Sequence, residues 1–256
     1  QLLIIILLLV LFGLVMLSSA SGSLGKVKFD DAYYYLKHQL LYGFSLGIVG
    51  FFAALHIHYK TYMRFAFPAL LVSIGLLIAV FTPLGVVTNN SARWISVGAF
   101  SFQPGELLKL TLIIYVAGWL AKDSRRSSQL GKGFIPFLTV IGIIAVLLFL
   151  QPATSMVVML IAAGLAMYFV SGAKLRYIAT LGVCVAVALA VVVAITPYRL
   201  QRIENFLNPE NDPARGGFHL NQAQIAIGSG KIFGVGFGNS TTKLGYLPEP
   251  VGDSIF

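Results

Sequence analysis

Apolar residues along this chain fall in long runs, not in the one-face spacing of a helix lying on water. Seven runs are visible, at about 2–18, 40–58, 65–86, 105–121, 134–150, 153–170 and 177–196. Each is near the ~20 residues that a helix needs to cross ~30 Å of hydrocarbon. The runs lack the dyad alternation of barrel strands, so spanning helices are predicted at all seven. After them the pattern breaks, and 197–253 mixes charged, apolar and glycine positions. A connection of that length tends to be functional. Within it, Phe218 to Ile227 predicts a short helix suited to a membrane interface. Gly228-Ser229-Gly230 and then Gly234, Gly236 and Gly238 mark tight backbone. The expected organisation is seven transmembrane helices over 1–196, a large extracytoplasmic loop over 197–253 carrying the chemistry, and the start of a further span at 254–256.

Composition narrows the class. The chain is 57% hydrophobic and only 11% charged, with a mean hydropathy of +0.86. An ordinary soluble domain is about 25% charged. Disorder is excluded, because it needs low hydrophobicity. A water-soluble globule lacks the polar surface to cover itself. The fold class is therefore an all-α polytopic membrane protein. The chain begins without Met inside an apolar run and stops at Phe256 as another begins, so it reads as a piece of a longer protein. Leu2 to Leu17 followed by Ser18-Ser19-Ala20 could mimic a signal peptide, but no basic segment precedes it, and a first span is the preferred reading.

Charge then sets orientation. His56 to Arg64, Lys122 to Lys132 and Lys174 to Arg176 hold eight Lys/Arg, against four (Lys26, Lys28, Lys37 and Arg93) in the opposite short loops. That bias puts the first group and the N-terminus in the cytoplasm. The net charge of +9 follows from the same loops. No basic stripe with interleaved aromatics points to nucleic acid. The single cysteine, Cys184, excludes an intrachain disulfide and a multi-thiolate metal site.

Several motifs are weak. Gly228-Ser229-Gly230-Lys231 is no phosphate-binding loop, since Ile225 and Ile232 stand where Gly and Ser/Thr are needed. His38, His56, His58 and His219 form no metal-ligand pattern, and interfacial histidines are the default. Glu106 and Lys109 say more. They sit three apart at the head of the fourth run, on one helical face. Charge at membrane depth is costly unless paired or facing a wet cavity. They read either as a structural ion pair between helices or as the lining of a cavity for a polar substrate. The long loop holds Tyr198, Arg199, Arg202, Glu204, Glu210, Asp212 and Arg215, then Glu249 and Asp253. Carboxylates among arginines suit a site that binds a diphosphate and removes a proton, because guanidinium forks pair with phosphate and a carboxylate can serve as base. A solvated loop with incidental ion pairs has the same composition.

The order of motifs is more specific. Asn90-Ser91-Ala92-Arg93-Trp94-Ile95 is followed by Phe102-Gln103-Pro104-Gly105-Glu106 and Lys109. Later come Tyr198-Arg199, Arg202, Phe206-Leu207-Asn208-Pro209, Asp212-Pro213 and Gly217-Phe218-His219. Last are Ala226-Ile227-Gly228-Ser229-Gly230, Gly234-Val235-Gly236-Phe237-Gly238-Asn239-Ser240, Leu247-Pro248-Glu249 and Asp253-Ser254-Ile255-Phe256. The whole chain resembles the SEDS family (shape, elongation, division and sporulation), whose members include FtsW and RodA. Lys243-Leu244-Gly245-Tyr246-Leu247-Pro248-Glu249 leans towards the cell-division branch.

The resemblance implies a ten-span helical bundle, of which this chain would hold the first seven spans and the large external loop. It implies a peptidoglycan glycosyltransferase that polymerises lipid II and releases undecaprenyl diphosphate, in the bacterial inner membrane at the division septum. The partners it implies are a class B penicillin-binding protein and other membrane proteins of the division complex. Its essential loop aspartate falls on Asp212, and its fourth-span acid and base fall on Glu106 and Lys109. Arg93, Arg199, Arg202, Glu249 and Asp253 are the further substrate-binding candidates. No motif fixes a metal, though a divalent cation such as Mg2+ or Mn2+ could share the leaving group's charge. Three departures stand out. The usual Gln-Pro-Asp-x-Gly-Thr is Gln151-Pro152-Ala153-Thr154-Ser155-Met156, the usual Gly-Tyr-Gln is Gly217-Phe218-His219, and the usual His-Thr-Asp is Val251-Gly252-Asp253. A lipid II transporter and a non-catalytic scaffold of the division complex are the alternatives.

Overall fold

A computed structural model describes residues 1–88, 91–97, 100–123, 125–151, 153–208, 218–231, 234–236 and 238–240. A helix lies on each of the seven apolar runs. Six are long and apolar enough to cross a membrane: Leu2–Phe29, Tyr34–His56, Tyr59–Ala79, Pro104–Ala121, Leu130–Leu150 and Leu175–Ala194. The other, Thr154–Val170, has 17 residues. The chain divides into two units, Gln1–Ala54 with Ala190–Phe256, and Leu55–Leu189.

In the first unit, α1 (Leu2–Phe29) runs 28 residues, about 42 Å at 1.5 Å per residue. It stops at Asp30, which takes the left-handed conformation with φ 55° and donates its N–H to the Lys26 carbonyl at 3.1 Å. Asp tolerates that conformation better than most residues. The turn into α2 (Tyr34–His38) is held by an ion pair of 2.7 Å from Lys37 Nζ to Asp31 and by stacked rings of Phe29 and Tyr34, 3.8 Å apart. Helix continues through a π-helical segment, Gln39–Phe44, into α3 (Ser45–His56).

The second unit begins with α4 (Tyr59–Ala79), capped by His58, whose ring nitrogen accepts from the Lys60 N–H at 3.3 Å. The third run was expected to stay helical to 86. Instead α4 ends at Ala79, Thr82 Oγ1 donates to the Ala79 carbonyl at 2.6 Å, and the chain turns through Pro83. Pro83 has no N–H to give the Ala79 carbonyl four residues back. Gly85 then passes so close to the Val80 carbonyl that any Cβ there would overlap it. Three short strands follow, β1 (Gly85–Thr88), β2 (Ser91–Val97) and β3 (Phe100–Phe102), antiparallel in that order. Ile95 pairs with both Gly85 and Phe102.

Next come α5 (Pro104–Ala121), α6 (Ile135–Leu150), α7 (Thr154–Val170) and α8 (Leu175–Ala194). The core of this unit is Leu70 and Leu77 from α4, Leu108, Leu112 and Val116 from α5, Ile141, Ile144 and Leu148 from α6, and Val157, Leu160 and Tyr168 from α7. Thr111 Oγ1 donates to Ser73 Oγ at 2.9 Å, tying α5 to α4 inside that core. The expected long loop contains α9 (Pro197–Leu207) and α10 (Phe218–Gly230), both in the first unit.

Candidate functional site

Arg93 stands at an irregularity of the sheet. Val86 pairs with Trp94 and the next residue, Val87, with Ala92, so the register of β1 on β2 passes over Arg93. Beyond it Trp94 is exposed and Ile95 buried. Arg93 Nε donates to the Gln151 carbonyl at 3.0 Å. Gln151 stands at the end of α6 and is itself buried, with 4% of its surface exposed. Its Nε2 donates to the Leu77 carbonyl at 2.9 Å. That carbonyl needs a donor. Phe81 N–H, its partner in a continuing helix, bonds to the Ile78 carbonyl instead, because α4 is ending. One amide side chain thus closes the end of α4, while its own backbone carbonyl holds β2 through Arg93. In the sequence Gln151 stands out only as the first residue of the altered Gln-Pro motif, with no role attached. The available signal was a polar residue closing an otherwise apolar run just before Pro152.

The head of α5 lies at the same end of this unit. Pro104 occupies the first helical position, where its fixed φ is favourable and its missing N–H is no loss. Glu106, in the first turn, suits the positive end of the helix dipole. Its Oε2 accepts from Lys109 Nζ at 2.6 Å. The expected alternative of an ion pair between helices is corrected here: both partners stand on α5, three apart. Glu106 is more than half exposed and Lys109 about a quarter. Gly105 beside them leaves room for the Met156 side chain from the head of α7. The arrangement offers one carboxylate, one ammonium and one guanidinium at the end of a helical bundle.

Arg199 and Arg202 belong to the other unit. They lie three apart on α9, so they share one face, Arg199 half-buried and Arg202 exposed. Thr196 and Pro197 start that helix, with Arg199 N–H donating to the Thr196 carbonyl at 2.9 Å. Gly234, Gly236 and Gly238 all adopt positive φ, which a side chain would resist, and Gly238 N–H donates to Ser19 Oγ on α1 at 3.2 Å. Gly228-Ser229-Gly230 is the last turn of α10. Asp212, Glu249 and Asp253 lie outside the described residues. Among the described residues no three or more His, Cys, Asp or Glu come together as a metal-binding group.

Ala153 occupies the N-cap of α7 without a side-chain cap. An aspartate there, as in the usual family motif, would accept from the first N–H groups of α7.

The comparisons with known proteins bear on the entire chain. Residues 1–256 match the FtsW/RodA/SpoVE family, described as a cell cycle protein. Stage V sporulation protein E of Bacillus subtilis (strain 168) is 36% identical over 256 residues, covering 100% of this chain and 70% of that protein. A "Probable peptidoglycan glycosyltransferase FtsW" of Thioalkalivibrio sulfidiphilus is 41% identical over 245 residues, 95% of this chain and 61% of its own length. The relative of the same name from Geobacter sp. (strain M18) is 36% identical over 245 residues, 95% of this chain and 66% of its own length. The chain thus spans about two thirds of these relatives. Among solved structures, a chain from "Structural coordination of polymerization and crosslinking by a peptidoglycan synthase complex" superposes with a TM-score of 0.63 at 27% identity, covering 86% of this chain and 66% of that one. The rod shape determining protein RodA of Thermus thermophilus shares the fold, with a TM-score of 0.53 over 71% of this chain and 57% of its own.

Proposed function

The chain belongs to the FtsW/RodA/SpoVE family of cell cycle proteins, with that family's all-α polytopic membrane fold, and we propose that its protein is a peptidoglycan glycosyltransferase acting on lipid II in septal cell-wall synthesis. The observation that carries the reading is the family match over residues 1–256, joined to relatives named as peptidoglycan glycosyltransferases at 35–41% identity. The protein is a multi-pass protein of the bacterial inner membrane. A cytoplasmic N-terminus and placement at the septum belong to the proposal.

In this reading the free 4-hydroxyl of one lipid-linked disaccharide attacks the anomeric carbon of another. The hydroxyl is a poor nucleophile near neutral pH and gives up its proton to a base in the transition state. Asp212 is assigned that role. A single displacement inverts the anomeric centre, forms the β-1,4 bond and breaks the bond to the diphosphate. Undecaprenyl diphosphate leaves with its negative charge, which Arg199 and Arg202, three apart on α9, are assigned to stabilise, with Arg93 or Lys109 as a further candidate. Glu106 pairs with the Lys109 ammonium, and Glu249 and Asp253 are assigned to substrate binding by motif order alone. A divalent cation could share the diphosphate charge, with no ligand set fixed for it. Spanning helices suit this chemistry because the isoprenoid tails need a groove in the bilayer while the head groups react outside it. The superposition on a chain of a peptidoglycan synthase complex supports a class B penicillin-binding protein as partner, and other membrane proteins of the division complex belong to the proposal.

The full-length protein, with and without its cognate penicillin-binding protein, is incubated with purified lipid II, and a labelled lipid is followed across vesicle bilayers in parallel. Glycan strands without translocation are expected. Translocation without strands would replace the enzyme with a transporter, and neither activity would leave a scaffold.

A further inference from the structure

The far end of the second unit carries a second built feature, independent of the proposed chemistry. The connection from α5 to α6 and the turn from α7 to α8 are fastened to each other. Tyr168 Oη, fully buried, donates to the Ser127 carbonyl at 2.8 Å, and buried Ser127 Oγ donates to the Ser171 carbonyl at 2.8 Å. Arg126 closes the third side, donating to the Trp119 carbonyl at 2.7 Å with its guanidinium 5.1 Å from the Trp119 ring centre. Two ring stacks lie beneath, Phe137 on Tyr168 at 4.6 Å and Phe134 on Tyr177 at 5.0 Å. Gly133 lies so close to the Arg126 carbonyl that no Cβ fits.

The fastening gathers cations. Lys122, Arg125, Lys132 and Lys174 are exposed on these two connections, and Arg176 is exposed in the first turn of α8 with its guanidinium over the Tyr177 ring. Arg126 is spent on Trp119, and Asp123 is the one carboxylate among the described residues of the pair, its Oδ1 accepting from the Arg125 N–H. The general excess of Lys and Arg in cytoplasmic loops requires only that charges be present. It does not require two loops to be locked together by buried hydroxyls. Exposed cations on two connections that are fastened together at the end of apolar helices match the head group of an anionic phospholipid, with phosphate on the ammonium groups and acyl chains along the helices.

We propose that the fastened α5–α6 and α7–α8 connections form a binding site for an anionic phospholipid head group of the adjoining leaflet.

The test uses the full-length protein in mixed micelles of phosphatidylglycerol and phosphatidylcholine, with retained lipids counted by native mass spectrometry. A preference for phosphatidylglycerol of about 25-fold is expected with two ammonium groups engaged, since each ammonium near the surface contributes about fivefold. Lys122→Gln with Lys132→Gln and Lys174→Gln removes three exposed charges and is expected to erase the preference. Tyr168→Phe removes only the hydroxyl that holds Ser127, keeps every charge, and is expected to lower the preference about threefold while thermal unfolding still shows a folded protein. No preference in the wild type would overturn the proposal and turn attention to an acidic protein segment. A Tyr168→Phe variant with undiminished preference would overturn it too, because a diffuse field would then account for the binding.

Discussion

Replacing Gln151 by Met tests whether one buried amide closes the end of α4. Met keeps the length and approximate volume of the side chain but donates nothing. The Leu77 carbonyl would lose its 2.9 Å bond in a site where Gln151 is 4% exposed, so water cannot replace the donor. An orphaned buried acceptor costs about 1–3 kcal/mol. Part of that is offset because a thioether is easier to bury than an amide, leaving a net loss of about 1–2 kcal/mol. For a chain of this size the melting midpoint should fall by about 2–8 °C. The bond from Arg93 goes to the backbone carbonyl of residue 151 and survives the substitution, so the loss isolates the amide. Differential scanning fluorimetry of the purified protein reads the shift. Gln129→Met at an exposed position serves as the control, with an expected change within about 0.5 kcal/mol. A Gln151→Met protein melting within 1 °C of wild type, by order of magnitude, would refute the reasoning.

Other outcomes depend on single neighbours. Gly133→Ala pushes a methyl group into the Arg126 backbone carbonyl and should cost about 1–3 kcal/mol, whereas Gly105→Ala meets the flexible end of Met156 and should cost less than about 1 kcal/mol; thermal melts of the pair give the ranking. The hydrogen bond from Lys37, then that from the Tyr33 N–H, hold the Asp31 carboxyl below its ordinary 3.8. Its charged form is favoured in the fold, so this stabilising contribution is complete above about pH 3.8 and fades as the pH falls through the lowered value. Carboxyl-carbon NMR should find Asp31 titrating below 3.8, and Lys37→Gln should move it up; an unmoved titration would contradict the contact. Ala153→Asp supplies the missing cap of α7, worth about 1 kcal/mol, but puts a carboxylate where Ala153 is 7% exposed, so the same melting assay should show no rise in stability.

Much of the fold is legible because a spanning helix declares itself by the length of its apolar run. Glu106 and Lys109 were legible as neighbours on one helical face, but not as partners of each other, since spacing sets adjacency and not which charge answers which. The sheet was not. Its strands have four, seven and three residues, and β1 starts inside what reads as the tail of an apolar helix. Only Thr82-Pro83 and Gly85 hint at the break. Gln151 was illegible for another reason. Its partner, Leu77, stands 74 positions earlier, and the need it meets arises only once α4 has ended. Local pattern carries no information about which distant carbonyl lacks a donor. Asp212, Glu249 and Asp253 rest on motif order alone, since a carboxylate in a mixed-composition loop has no periodicity to place it.

The account turns on the base. Full-length protein carrying Asp212→Asn, with its fold confirmed by an unchanged melting midpoint, is assayed against wild type for the rate of glycan-strand growth from lipid II. Loss of a well-placed general base should slow polymerisation by ~100- to 10,000-fold. Strand growth at the wild-type rate would contradict the assignment and with it the proposed displacement.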